Sequence, residues 1–385
     1  MAAYRVTELA ATCVTMATRA TGELWDRTMP PVDPGHAFES FRSERHTQVV
    51  GSPATPLWAP LSGDYRAEDG WVRLHANYPH HAAAIHRALG GSPSDSVARM
   101  PAVAVEDAVL ASGGAAAALR TRASWLAAQG SWVRQEPLVG MENLGSGAPR
   151  SRAGDAPLAG VRVLDLTHVI AGPVCGRVLA AHGADVLHVT PPGWPVLLDL
   201  VRDTDFGKRQ CTVDLDGVRA LAASADVFVQ SYRPGSLGFS AADLPGTVVV
   251  SLSAYGHTGP WRDRRGFDSL VQMSTGIAAG DPPVPLPAQA LDHGTGWLAA
   301  YGAMTALARG GSWHVRVSLA RTAEWLHDLG QGGSVSEVDP TPWLTETDSG
   351  FGRLRHIRVP GATVELSGPR HPGGDPPAWW PRGEP

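Results

Sequence analysis

Leu158-Ala-Gly-Val-Arg-Val-Leu-Asp-Leu-Thr-His-Val-Ile-Ala-Gly-Pro173 runs through Val174–His182 into Gly183-Ala-Asp-Val-Leu-His-Val189, and its reading decides the fold. Val161–Leu166 is an apolar run with the length of a buried strand. Ala171-Gly-Pro173 is a tight turn, Val174–His182 has helical spacing, and Ala184–Val189 is a second apolar strand. A strand, a helix and a strand at these lengths imply a parallel pair joined by a crossover. Further along, Ala225–Gln230 and Thr247–Leu252 supply two more strands. The expected fold class is α/β, a doubly wound parallel sheet (a Rossmann-like large domain) with a smaller α+β domain. Ligands of such sheets bind beyond the carboxyl ends of the strands, where Ala171–Pro173, Gln230–Gly235 and Ser253–Gly256 fall.

Before this core, residues 5–25 have helical spacing and close on the turn at Gly22–Asp26, and residues 30–62 are loop-like and rich in proline. Gly70–His75 alternates like an exposed strand, and His80–Leu89, Val105–Ser112 and Ser124–Gly130 are helical. Residues 143–157 are a linker by composition. After Gly330 the chain is rich in glycine and proline, with one short strand expected at Val359–Leu366 and a Pro-rich tail. The expected division is 1–142, a linker at 143–157, a ligand-binding domain at 158–330 and a closing segment with tail at 331–385.

A chain of 385 residues with 43% hydrophobic and 18% charged residues can bury a substantial core. A net charge of −5 gives no concentrated basic surface for nucleic acid. No apolar run approaches the ~20 residues that span a bilayer, and Met1–Glu8 does not read as a secretory signal. Cys13, Cys175 and Cys211 lack metal-ligand or disulfide spacing, so no metal is expected and the thiols fit a reducing cytoplasm. Lys208 is the only lysine in an arginine-rich chain.

In Pro287-Ala-Gln-Ala-Leu-Asp-His-Gly-Thr-Gly-Trp297, Asp292 stands at the start of an Ala/Leu-rich helix, where unpaired N–H groups and the helix dipole favour negative charge. Read alone, Asp292 is an ordinary N-cap. Gly294 and Gly296 remove side chains that would obstruct a bulky ligand.

Four ordered segments change that reading: Leu158–Pro173, Gly183–Leu187, Ala225-Asp-Val-Phe-Val-Gln-Ser-Tyr-Arg-Pro-Gly235 and Ser251-Leu-Ser-Ala-Tyr-Gly-His-Thr-Gly-Pro260. With Gly266-Phe-Asp268 and Asp292–Gly296 after them, they resemble the family III (CaiB/BaiF) CoA-transferases, which include formyl-CoA and carnitine CoA-transferases. The resemblance implies that Asp292 is the nucleophile of a CoA-transferase that forms an aspartyl-CoA thioester. It implies that Val169, Ile170 and Ala171 line the pantetheine, and that Tyr232 and Phe267 are aromatic neighbours of CoA. Lys208, Arg209, Arg233 and Arg265 are candidate partners of the CoA phosphates, each with a solvated surface charge as its alternative. No permanently bound cofactor is implied, only CoA or acyl-CoA and a carboxylic acid as substrates, in an interlocked homodimer.

The sequence also departs from that family. Ile170 replaces a glutamine that binds the formyl intermediate, which favours a more apolar acyl group, and the usual acidic loop is reduced to Val189-Thr-Pro-Pro-Gly-Trp194. Asp64–His75 and its following helices resemble the family's small domain yet precede the core. A short echo lays Leu9-Ala-Ala on Leu298-Ala-Ala and Ala3 on Asp292, so residues 1–150 are readable as a degenerate first copy lacking the nucleophile. Two other functions stay open. A related racemase needs a second acid/base group at the position of Phe267, which cannot move a proton. A CoA-binding protein without turnover would not need Asp292.

Overall fold

Seven strands form one sheet in the computed structural model: β1 (Gly140–Gly145), β2 (Arg162–Asp165), β3 (Asp185–Thr190), β4 (Lys208–Thr212), β5 (Val227–Gln230), β6 (Val248–Ser253) and β7 (Ser312–Ser318). The structure describes residues 3–53, 55–149, 154–333 and 338–382, so the middle of the expected linker (150–153) and the last tail residues (383–385) lie outside the described residues. The order is β1-β7-β6-β5-β2-β3-β4, with every pair parallel except the antiparallel β1–β7 edge. Val163, Val227, Val229 and Val250 point into one core and Leu164, Leu187, Phe228 and Val249 into another. Burial on both faces is why these strands read as continuous apolar runs.

Five helices matter for the site: α1 (Val6–Trp25), α2 (Pro79–Leu89), α3 (Ala171–Ala180), α4 (Asp268–Thr275) and α5 (Ala290–Arg309). α5 is buried along nearly its whole length and packs on both α1 and α3. Its alanines and glycines let those axes come close, since each neighbour would otherwise meet a longer side chain.

Residues 63–66, 71–74 and 116–118 form a small antiparallel sheet beside α2, with a core of its own around Val72, Leu74, Ile85 and Val105. Ala115 and Ala117 turn the other way, onto Leu270 and Met273 of α4. Contact with α4 places this part of the chain over the carboxyl end of the main sheet.

Several expectations need correction. The linker begins as β1, the polar edge strand of the main sheet, so a boundary at 142 cuts through an element. The strand expected at Val359–Leu366 is absent; a hairpin of 344–349 and 352–357 precedes it and pairs with 48–49. The Pro-rich segment docks on the sheet rather than trailing free, since Asp375 accepts from the Gln210 backbone and Arg382 pairs with Asp226. α1 lies directly against α5. On the register of the internal echo, however, α1 begins and ends five residues later than α5, and Ala3 falls in a short strand rather than a helical turn.

Candidate active site

Asp292 lies in the first turn of α5, and the N-cap is Gln289. The N-cap reading of Asp292 is therefore corrected. Asp268, at the start of α4, does the capping: its Oδ2 accepts from the Leu291 and Asp292 backbone N–H groups at 2.8 and 2.9 Å. Asp268 is held in turn by the Gln272 side chain. The Asp292 carboxylate accepts no hydrogen bond among the described residues and is only 6% exposed. Burial raises its pKa well above the usual carboxylate range, and the neighbouring charges of Asp268 and Glu44 raise it further. Burial also pushes Asp268 up to about 6. Behind Asp292, His293 is fully buried, 3.0 Å from Glu44 and stacked on Phe41.

Asp292 opens into a cavity of about 480 Å³ at the carboxyl ends of β2, β5 and β6. One wall is the loop before α3. Val169 has φ of 74°, a left-handed conformation that a β-branched residue adopts at a cost of roughly 1–3 kcal/mol. A buried quartet holds that loop from behind. Lys208 Nζ lies 2.9 Å from Asp165 and 3.0 Å from Asp205, and all three side chains are sealed from solvent. His188 bonds Asp205 at 2.8 Å and the Thr167 carbonyl at 2.9 Å, while the Thr167 N–H donates to Asp165 at 3.0 Å. Because Asp205 and a carbonyl both require a donor, His188 is an imidazolium, consistent with its raised pKa.

The opposite wall carries Arg233 and Arg265, neither of which forms an ion pair among the described residues. Arg265 is tethered to the Gly113 carbonyl at 2.6 Å, and burial together with the Arg233 charge lowers its pKa. Two close cations without acids suit a polyanion. Trp194, stacked on His168, marks the rim.

A sequence model described as CoA-transferase family III matches residues 158–331, which contain Asp292, Asp268 and the cavity arginines Arg233 and Arg265. Residues 158–331 are thus similar to CoA-transferase family III. A protein named "Probable fatty acyl-CoA transferase" from Mycobacterium tuberculosis is 35% identical over 182 residues, covering 39% of this chain and 46% of that protein. A succinyl-CoA–D-citramalate CoA-transferase from Chloroflexus aurantiacus is 34% identical over 188 residues, 39% of this chain and 45% of that one. The succinyl-CoA:glutarate CoA-transferase of Mus musculus is 35% identical over 201 residues, 44% and 46% respectively. The chain thus spans about half the length of the curated relatives it matches.

Within the family III segment the structure gathers Asp292, Val169, Ala171, Tyr232, Arg233, Arg265 and Phe267 around one cavity. Five expected contacts are not there. Lys208 is locked between Asp165 and Asp205, on the far side of the loop from any ligand. Arg209 forks onto Asp185 beneath Trp380, on the outer part of the sheet. Ile170 packs into the main core, so it no longer argues for an apolar acyl group. Gly294 faces Thr322, Leu9 and Phe41 rather than the cavity. A Cβ on Gly296 would stand 2.4 Å from the Ala171 carbonyl oxygen and 2.9 Å from Val174, so this glycine sets the approach of α5 to α3. Gly296→Ala is expected to lower stability by about 1–3 kcal/mol, an overpacking cost that outweighs the better helix propensity of alanine. Urea denaturation checks this, and an unchanged midpoint would show that α3 yields without strain.

Sequence reading missed Glu44, Tyr78, His80 and His81, all from outside the family III segment. Only the histidine pair opening α2 carried a chemical signal.

Proposed function

We propose that the protein is a CoA-transferase that moves CoA between an acyl-CoA and a carboxylic acid through an aspartyl-CoA thioester on Asp292. The observation that carries this reading is the Asp292 carboxylate itself. It is buried, free of hydrogen bonds, and opens into the cavity that holds the two unpaired arginines, all within the family III segment.

The Asp292 carboxylate attacks the thioester carbonyl, and CoA leaves as a thiolate to give a mixed anhydride. The thiolate then attacks the aspartyl carbonyl, releasing the first acid and leaving aspartyl-CoA. An incoming carboxylate reverses both steps. Burial and repulsion by Asp268 and Glu44 make the carboxylate more basic, and either acylated form is neutral, which relieves that repulsion. Donors for developing oxyanions are not those of α5, because Asp268 takes the N–H groups of Leu291 and Asp292 and Gln289 takes that of His293. α3 begins at the cavity instead, with Ala171 and Gly172 in its wall and first-turn N–H groups that no preceding turn can bond. Arg233 and Arg265 meet the CoA phosphates.

Incubation with an acyl-CoA followed by hydroxylamine tests the proposal. A hydroxamate on the peptide containing Asp292 is expected; its absence with every acyl-CoA supplied would overturn the reading. The pH dependence is a further check. The nucleophile must be ionised and its pKa is raised, so turnover should climb along an acid limb lying above the ordinary carboxylate range. Asp268→Asn removes one of the charges that raise it and should move that limb downward; a limb that stays in place would remove Asp268 from the tuning.

A further inference from the structure

α2 reaches the Asp292 cavity from outside the family III segment, bringing His80 and His81 in its first turn. His81 lines the cavity but is only 2% exposed, and neither ring nitrogen has a hydrogen-bond partner among the described residues. Its surroundings are aromatic: Tyr78 lies 5.5 Å away, Phe267 5.6 Å and His75 6.1 Å, all nearly edge-on. Burial, with the charges of His80 and Arg265, pushes its pKa down to about 3. The ring is therefore neutral, with one N–H to give and one lone pair to offer. A buried polar ring without a partner destabilises the folded chain, and an apolar side chain would suit this setting better. Phe267 ties the ring to the chemistry, since it immediately precedes Asp268, whose carboxylate caps α5 at Asp292.

We propose that His81 is a substrate-contacting residue whose ring N–H donates to the thioester carbonyl oxygen of the acyl group held opposite Asp292. This rests on the transferase reading above. It also gives the segment before residue 158 a direct part in selecting the acyl group.

The full chain is compared in the Asp292→Asn background, where no adduct can form, by calorimetric titration with free CoA and with acetyl-CoA. His81→Phe keeps a ring and drops both nitrogens; it should weaken acetyl-CoA binding about tenfold while changing CoA binding by less than about twofold. His81→Gln restores an N–H and should bring acetyl-CoA affinity back to within about threefold of the parent. Melting of the ligand-free His81→Phe protein should hold or rise, because an unsatisfied polar ring has been removed. His81→Leu serves in its place if the phenylalanine variant does not fold. Unchanged acetyl-CoA binding in the apolar variant overturns the proposal. So does a parallel loss of CoA binding, acetyl-CoA binding and melting temperature, which marks a purely structural role. If the parent binds neither CoA nor acetyl-CoA, the transferase reading fails first and the assignment of His81 falls with it.

Discussion

Asp292→Asn is expected to lower CoA transfer by on the order of 10⁴-fold or more, as removal of a covalent nucleophile does, while the folded protein keeps or gains stability. The two halves come from the same geometry. Asparagine matches the shape of aspartate but cannot form an anhydride or a thioester. Asp268, not Asp292, caps α5, so the helix start is unharmed. The lost charge was buried, accepted no hydrogen bond and faced Asp268 and Glu44. A carboxyl whose pKa is raised on folding is costly to the folded state once it ionises. Its stability contribution is complete below the unfolded value and is lost as pH rises through the folded one. The stability gain of the asparagine variant should therefore grow from about pH 4 towards neutrality. Thermal melting at several pH values, with peptide mass after incubation with acyl-CoA, measures both halves. A melting loss on the scale of a core mutant, or an undiminished rate, would make Asp292 structural.

The contrast between Asp268 and Asp292 shows how much the chain discloses before it folds. β2, β3, β5 and β6 were legible because strands buried on both faces place apolar residues at consecutive positions, as in Val163-Leu164, Val186-Leu187, Val227-Phe-Val229 and Val248-Val-Val250. β4 was not, because Lys208-Arg-Gln-Cys-Thr212 looks like surface. Its charges are buried only because Asp165 and Asp185 meet them from β2 and β3 and Asp205 from the turn that leads into β4. β1 escaped as an edge strand of glycine and polar residues, and β7 because Trp313, His314 and Arg316 interrupt its valines. Of the site, the residues on loops after the parallel strands followed from topology and ordered motifs. The glycines after Asp292 did not, since the same small residues serve ligand access or helix packing equally well. Glu44 carried no signal, and the His80-His81 pair carried one that no motif tied to Asp292, as Glu44 and His81 reach Asp292's neighbourhood only through tertiary contact across about half the chain or more.

Lys208 brings the sequence expectation and the structure into direct conflict, and Lys208→Met decides between them. If Lys208 held a CoA phosphate, the variant would keep its stability and lose affinity alone. The structure requires the reverse. Lys208 and the His188 imidazolium balance Asp165 and Asp205 in a site closed to water. Removing the ammonium leaves one uncompensated buried negative charge, at a cost of about 3–5 kcal/mol. For a domain of this size that corresponds to a fall in melting temperature of roughly 10 °C. The damage would also reach the active site. With Asp165 and Asp205 repelling each other, the bonds they make to the Thr167 N–H and to His188 loosen, and those bonds hold the loop that keeps Val169 in its strained conformation. Adding Asp165→Asn to Lys208→Met removes the unpaired charge and should recover part of the stability, a non-additive result that a phosphate-binding lysine would not give. Urea titrations of the parent, both single variants and the double variant supply that cycle. Equal midpoints for parent and Lys208→Met, with CoA affinity lost, would return Lys208 to the ligand.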